Sequence, residues 1–131
     1  MTQIKESSTI QENKQLAFNE CPVTYVMNRI GGHWKPIILF NLLFGSKRYS
    51  EIRKAMPAIT EKMLIQHLKQ MENDKLVIRE VKAVVPPCVT YRLSESGEAL
   101  RPVLNAMANW AIAESKRNGL DIYKDMGDFP V

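Results

Sequence analysis

The chain has 131 residues, of which 45% are hydrophobic and 24% charged, so it is long enough for one folded domain and too well supplied with apolar residues for wholesale disorder. Its longest apolar stretch, residues 36–44, is far shorter than the roughly 20 residues that a membrane-spanning helix needs. Residues 1–15 are polar and lack a signal-peptide core, so we expect a cytoplasmic protein without membrane contact.

The net charge of +4 is unevenly distributed along the chain. Residues 46–93 carry ten basic and five acidic side chains, whereas residues 94–131 have a net charge of −2. A local excess of positive charge indicates a polyanionic partner. A solvated surface can produce the same pattern, so the charge alone leaves both interpretations open.

The N-terminal part predicts an arm followed by two helices. Residues 1–18 are polar and show no sustained period, which is typical of a loosely ordered arm. A Cys-Pro pair at residues 21–22 opens a helix, because proline suits the first helical turn, and a Gly-Gly pair at residues 31–32 ends it. The next helix begins near Pro36 and is so uniformly apolar that we expect it in the core.

Two further helices follow, separated by a short break. Residues 46–56 predict a short amphipathic helix, and residues 57–59 form the break. Thr60 is typical of an N-cap residue, and a helix of about 14 residues is expected after it. Its apolar stripe is predicted to consist of Met63, Leu64, Leu68 and Met71.

After this helix the hydrophobic pattern changes to alternation. Residues 77–83 and 88–93 alternate on either side of a Pro-Pro pair, which predicts a β-hairpin. Ser94 is expected to cap the last helix, and an Asn-Gly pair at residues 118–119 is expected to end it.

This order of elements predicts a mainly α fold with a small β-hairpin wing, the winged helix-turn-helix. We expect one domain over residues 19–118, with flanking N- and C-terminal dimerisation helices, and a C-terminal tail over residues 119–131. The helix after Thr60 is then the recognition helix, and the hairpin is the wing.

Basic and polar side chains of this motif predict contact with double-stranded DNA. A recognition helix enters the major groove, where glutamine can read adenine and lysine can meet guanine or a phosphate. The side chains expected to contact DNA are Thr60, Lys62, Gln66 and Lys69 on the recognition helix, Lys47, Arg48 and Arg53 before it, and Arg79 and Lys82 on the wing. Glu61 brings a carboxylate close to the phosphates; it could accept from a cytosine amino group or favour the helix N-terminus, and the second interpretation is preferred.

The last helix carries an apolar stripe that a small domain cannot easily cover. An isologous dimer would cover it and would present two recognition helices to half-sites about one DNA turn apart. Packing of the stripe on its own domain is the alternative. The residues of this helix predicted to form the dimer interface are Leu100, Val103, Leu104, Met107, Trp110 and Ala111.

Two cysteines are present, and both are expected to be free thiols in a reducing cytosol. Cys21 lies at a predicted helix start, a position that favours the reactive thiolate and where Arg29 or His33 could assist. A small buried apolar residue is the alternative for Cys21. Enzyme motifs are missing, and the two histidines lack the spacing of a zinc site, so we expect no catalytic activity, cofactor or metal.

From Cys21 to about Trp110 the chain resembles the HxlR family of bacterial transcriptional regulators, which are relatives of the MarR-type winged helices. The segments that carry this resemblance are CPVTYVMNRIGGHWKPIIL, LFGSKRYSEIRKAMPAITEKMLIQHLKQMENDKLV, VVPPCVTYRLSESGEAL and LNAMANWA. The resemblance implies a homodimer that binds operator DNA, often as a repressor. It implies dimer contacts from the first and last helices, so Val23 joins the predicted interface. In several members the cysteine at the position of Cys21 senses oxidants, quinones or aldehydes by thiol modification.

The sequence departs from the family pattern at several positions. Ala58 replaces a glycine in the turn, which must therefore avoid positive φ there. Lys75 replaces the glycine that usually follows the recognition helix, and Asn73 is predicted to take the left-handed cap instead. Glu61 and Ile65 replace the more common polar or basic residues of the groove face.

Other functions remain open at this point. One is a regulator that senses a small effector in a pocket between the dimer helices and the DNA-binding core, with Cys21 structural. Another is a winged-helix protein–protein interaction module without DNA binding, which a steep loss of binding with added salt would exclude. A small enzyme is the third.

Overall fold

The computed structural model describes residues 21–131, so the predicted arm at residues 1–18 lies outside the described part. Within the described part, the chain divides into two compact units at residues 33 and 34. In the first, helix α1 spans Pro22–Ile30 with proline in its first turn and Gly31 as its C-cap, which confirms the predicted start and end.

The second unit contains the predicted mainly α fold with a small antiparallel sheet, which confirms the winged helix-turn-helix. Its elements in chain order are α2 (Trp34–Leu42), β1 (Lys47–Arg48), α3 (Tyr49–Ala55), α4 (Glu61–Asn73), β2 (Val77–Lys82), β3 (Cys88–Leu93), α5 (Glu95–Glu98) and α6 (Arg101–Arg117).

Helix α2 lies at the centre of this unit and contacts α3, α4, α6 and β3. Ile38, Leu39 and Leu42 are fully buried in it. A helix with apolar residues on nearly every side can be surrounded by other elements without burying unpaired polar groups, so the predicted central position is confirmed.

Thr60 caps helix α4 as predicted, because its Oγ1 accepts a hydrogen bond of 3.2 Å from the backbone N–H of Met63. Leu64 and Leu68 are buried together with Met71, so three of the four predicted stripe residues are confirmed. Met63 is 40% exposed, and its assignment to the stripe is wrong. It lies about 100° around the helix from Leu64, beyond the edge of the buried face.

The C-terminal end of α4 differs from the prediction. Lys75, not Asn73, has the left-handed conformation, with a φ of 62°. The N–H of Leu76 donates to the carbonyl of Met71 at 2.9 Å, and the N–H of Lys75 donates to that of Glu72 at 3.0 Å. This pair of bonds is a Schellman motif. Asn73 remains helical because the motif needs the left-handed residue two positions later.

The sheet has the strand order β1-β3-β2, and both pairs are antiparallel. The hairpin of β2 and β3 confirms the prediction. Strand β1 was not predicted, because the helix was expected to begin at residue 46. It has two residues, and its pairing partners Tyr91 and Thr90 are far along the chain, so no local alternation indicates it.

The predicted last helix is divided in two. Ser94 caps the short helix α5 by accepting a hydrogen bond of 3.0 Å from the N–H of Gly97. Pro102 lies at the start of α6, where its missing N–H does not break a helical bond but does prevent continuation from α5. Helix α6 ends at Asn118 and Gly119, whose φ is 73°, as predicted.

Residues 120–131, interpreted from the sequence as part of a tail, run back along α6. The side-chain amide of Asn109 donates to the carbonyl of Phe129 at 2.7 Å and accepts from its N–H at 2.9 Å, and Asn105 donates to the carbonyl of Pro130 at 2.7 Å. The Phe129 ring packs edge-on against Phe40 of α2. Between residues 21 and 131, every helix is too short or too polar to cross a bilayer.

Candidate nucleic-acid interface

The outward face of α4 carries a row of polar and basic side chains. Lys62, Gln66 and Lys69 are exposed, and at 100° per residue they lie directly opposite the buried stripe centred on Leu64 and Leu68. Asn73 continues the same row one turn further on and is also exposed. Asn73 was not among the predicted contact residues, although its spacing of four residues from Lys69 indicates the same face.

Two apolar side chains flank this row. Ile65 is half exposed on one side, and Met63 is exposed on the other. An apolar side chain on a recognition helix can contact the methyl group of thymine. Met63 is therefore a further candidate, which the prediction of a core position had excluded.

The N-terminus of α4 combines a cap with a carboxylate. Thr60 is exposed, and its hydroxyl, which accepts from Met63, still has its own proton to donate. The pKa of the Tyr49 phenol is raised, first by burial and then by the neighbouring Glu61 carboxylate. Glu61 therefore lies next to Tyr49 at the beginning of α3 as well as at the positive end of α4.

Arg53 connects the two helices of the motif. Its Nη1 donates a hydrogen bond of 2.8 Å to the carbonyl of Ile59, the buried last residue of the turn. The guanidinium therefore supports the geometry of the turn, in addition to the phosphate contact expected from the sequence. Ala58 does not need positive φ in this turn, since Lys75 is the sole non-glycine residue with positive φ among residues 21–131.

The strand register separates the four predicted basic residues of the wing and β1 into two pairs. Lys47 and Arg79 both pair with Tyr91, so the three side chains lie on one face of the sheet. That face is directed towards the helices, because Tyr91 is buried and β3 contacts α3. Arg48 pairs with Thr90, and Lys82 pairs with Cys88, which places both on the opposite face.

The opposite face also contains an ion pair that was not predicted. Arg92 of β3 pairs with Glu80 of β2, so the charges of these two side chains offset each other. Arg48 uses its backbone N–H to bond the Glu51 carboxylate at 2.9 Å at the start of α3. Its side chain is exposed.

Comparison with known proteins decides the family. Residues 29–118 match the family model described as HxlR-like helix-turn-helix. The chain belongs to the HxlR family. It is 39% identical over 124 residues to the HTH-type transcriptional regulator YybR of Bacillus subtilis, which covers 95% of this chain and 94% of YybR.

Solved structures of HxlR-type regulators agree with this assignment. The redox regulator HypR in its oxidised form is 41% identical, with a TM-score of 0.69 over 71% of this chain and 96% of HypR. The reduced form of the transcriptional regulator YodB from B. subtilis is 36% identical, with a TM-score of 0.63 over 70% of this chain and 91% of YodB. This HxlR protein is therefore a DNA-binding transcriptional regulator, and its relatives do not support a pure protein–protein interaction module.

A second exposed surface of this HxlR protein lies on α6. Val103, Met107 and Trp110 are spaced by four and three residues and form one outward apolar face, with Trp110 68% exposed. Leu100 and Ala111 are half-buried at its sides. Leu104, expected at the dimer interface, is buried within its own chain, so it belongs to the core and not to the exposed face.

The N-terminal unit exposes the other predicted residues. Val23 is 63% exposed and Cys21, the N-cap residue of α1, is exposed as well. Arg29 lies eight residues further on, about 12 Å along the helix axis, and its guanidinium stacks 3.5 Å from the centroid of the Tyr25 ring. It is therefore not a neighbour of Cys21 in the same chain. Cys88 is half-buried on β3.

Proposed function

We propose that the protein is a cytoplasmic homodimer that binds double-stranded operator DNA through α4 and acts as a repressor. The observation that carries the proposal is the outward row of Lys62, Gln66, Lys69 and Asn73, directly opposite the buried stripe of the same helix. A helix that is anchored on one face and polar on the other can enter a major groove without disturbing the core.

Each side chain of the interface has a distinct role in the proposal. Lys62 and Lys69 contact phosphates or guanine, and Gln66 reads adenine through its two hydrogen-bonding groups. Thr60 donates its hydroxyl proton to a phosphate at the start of the helix. Lys47 and Arg79, which share a face with Tyr91, contact the backbone beside the groove. The other basic residues proposed to contribute backbone contacts are Arg48, Arg53 and Lys82.

Dimerisation is proposed to use the exposed apolar face of α6. Val103, Met107 and Trp110 would be covered by a second copy of the chain, and the exposed Val23 of α1 is proposed to contact the second copy as well. An isologous pair places two copies of α4 on successive major grooves, which a single domain cannot do.

Selection of bound duplexes from a random pool tests this function. We expect an inverted repeat whose half-sites lie about one helical turn apart. Gln66→Ala should change the selected bases at one position of each half-site, whereas Gln70→Ala, a matched change nearer the edge of the outward face, should leave them unchanged. Selection of no duplex by the wild-type protein, or identical selected sequences for Gln66→Ala, would contradict the proposal.

Regulation by oxidants is proposed to act through Cys21. The support is its exposure at the N-cap of α1, together with the likeness to HypR, which is a redox regulator. Modification of Cys21 would shift the dimer towards a geometry that does not fit successive grooves. A shift of a few kcal/mol is enough to release DNA.

The two cysteines provide a matched test of this regulation. Diamide accepts two electrons and two protons from a pair of thiols, here Cys21 in each of two copies of the chain, and becomes a hydrazine as the disulfide forms. It should release the wild-type protein and Cys88→Ser from DNA. Cys21→Ser should bind DNA normally and stay bound after diamide treatment. Continued release of Cys21→Ser would place the sensor elsewhere.

A further inference from the structure

A cavity of about 320 Å³ lies in the second unit between α2, α6 and the C-terminal segment, residues 120–131. Its walls include Phe40 of α2, Ala108 and Ala111 of α6, and Tyr123 and Met126 of the C-terminal segment. None of the described residues that line it carries a charge, and the Tyr123 phenol is the sole polar side-chain group among them.

The C-terminal segment forms one wall of this cavity and is held in place at its far end. Asn109 bonds both backbone groups of Phe129, and Asn105, which is buried, bonds the carbonyl of Pro130. At the near end, Ser115 of α6 donates to the carbonyl of Leu120 at 3.3 Å. The residues between these two attachments, which include Tyr123 and Met126, therefore line one side of the cavity and contain no helix or strand.

We propose that this cavity is the site of a neutral, largely apolar small molecule, and that the C-terminal segment is its cover. The volume falls within the range of small-molecule sites, which are mostly apolar with few polar groups. A charged ligand would lose its hydration and gain no partner from the described walls. Aromatic and thioether side chains in the walls favour a ligand with an aromatic ring, and the Tyr123 hydroxyl offers it one hydrogen bond.

The position of the cavity connects this ligand with the proposed function. Met107 of α6 lines the cavity and is also part of the exposed face assigned to the dimer. A molecule in the cavity therefore contacts a side chain of the proposed subunit interface. We assign the ligand the role of an effector that alters the dimer and hence its fit to DNA. This role, unlike the binding site itself, rests on the proposed function.

The binding step is tested without DNA, using two dyes that share one skeleton. N-phenyl-1-naphthylamine is neutral and fluoresces in apolar surroundings, and 1-anilinonaphthalene-8-sulfonate adds one negative charge. We expect saturable binding of one neutral dye per chain of the full-length protein, at least about tenfold tighter than that of the sulfonate. Equal or tighter binding of the sulfonate would contradict a neutral site.

Variants then locate the bound dye. Ala108→Phe fills the cavity and should weaken binding at least about tenfold, whereas Ala99→Phe, at an exposed position outside the cavity, should not. Met126→Asp places a carboxylate in the cover, outside any helix, and should weaken binding even if Ala108→Phe fails to fold. Unchanged binding in Met126→Asp and in folded Ala108→Phe would overturn the proposal.

Two further outcomes separate this site from the proposed function. Dye binding that occurs only in a monomeric variant such as Trp110→Glu would show that a second copy of the chain fills the cavity, which would overturn the ligand site. Specific dye binding by a protein that binds no DNA would leave the ligand site standing and contradict the function proposed above.

Discussion

Arg53 and Ile59 are joined by a hydrogen bond of 2.8 Å from the guanidinium to the backbone carbonyl, which ties α3 to the last residue of the turn before α4. Hydrogen bonds from charged donors contribute about 1.5–3 kcal/mol when both groups are shielded from water. Because Arg53 is partly exposed, we expect Arg53→Ala to lower the free energy of unfolding by about 1–2 kcal/mol. Denaturant unfolding measures this change.

The neighbouring residue provides the control for Arg53. Lys54 is exposed, and Lys54→Ala should alter the unfolding free energy by less than about 0.5 kcal/mol. Equal effects of the two substitutions would show that Arg53 does not support the turn.

Lys75 occupies a left-handed backbone position that costs a residue with a Cβ about 1–2 kcal/mol. Lys75→Gly removes this cost but makes the unfolded chain more flexible, so we expect a net gain of about 1 kcal/mol in unfolding free energy. Asn73→Gly, at the helical position first predicted for the cap, should instead destabilise by about 0.3 kcal/mol, the difference between the two residues in helix propensity. Denaturant unfolding measures both changes. A higher unfolding free energy for Asn73→Gly than for Lys75→Gly would contradict the Schellman motif.

Tyr49 gives the protein a pH dependence on the alkaline side. Its hydroxyl is buried, and its pKa is raised above 10.0 by burial and then by the Glu61 carboxylate. Above pH 10 the unfolded chain loses this proton while the folded chain keeps it, so stability present below pH 10 is lost as pH rises. Tyr49→Phe should lose less stability than the wild type between pH 9 and 11. Parallel decline of the two proteins would contradict this interpretation.

Trp110 is the most exposed of the three apolar residues on the outward face of α6. Trp110→Glu would bury a carboxylate if this face forms the dimer, so we expect self-association to weaken by about a hundredfold or more. Sedimentation equilibrium measures this change, with Ala99→Glu as the control at an exposed position outside the face. An unaffected dimer would place the interface elsewhere.

The features that the sequence predicted correctly depend on neighbours close along the chain. The caps at Thr60 and Ser94 involve side chains that bond backbone groups three residues away, and the buried stripe of α4 follows from helical spacing. The left-handed cap was assigned to the wrong residue because asparagine favours that conformation. The motif that forms at Lys75 depends instead on the carbonyls of Met71 and Glu72.

The features that escaped prediction depend on contacts between distant residues. Strand β1 exists because Lys47 pairs with Tyr91, and the C-terminal segment is held by Asn109 through backbone groups of Phe129. No pattern in the neighbouring sequence indicates either the strand or the attachment of the C-terminal segment. The candidate interface was predicted on α4, where helical geometry decides which side chains point outward, whereas the division of the wing charges between two faces required the register of the sheet.

The salt dependence of DNA binding by Lys62→Ala and Lys69→Ala tests the central claim most directly, because each phosphate contact contributes about one unit to the slope of log affinity against log salt. With two copies of each lysine in a dimer, we expect each variant to weaken binding to all duplexes and to flatten the slope by about two. Lys116→Ala, at an exposed position on α6, should leave the slope unchanged. Wild-type slopes in both α4 variants would contradict the proposal that this helix face binds DNA.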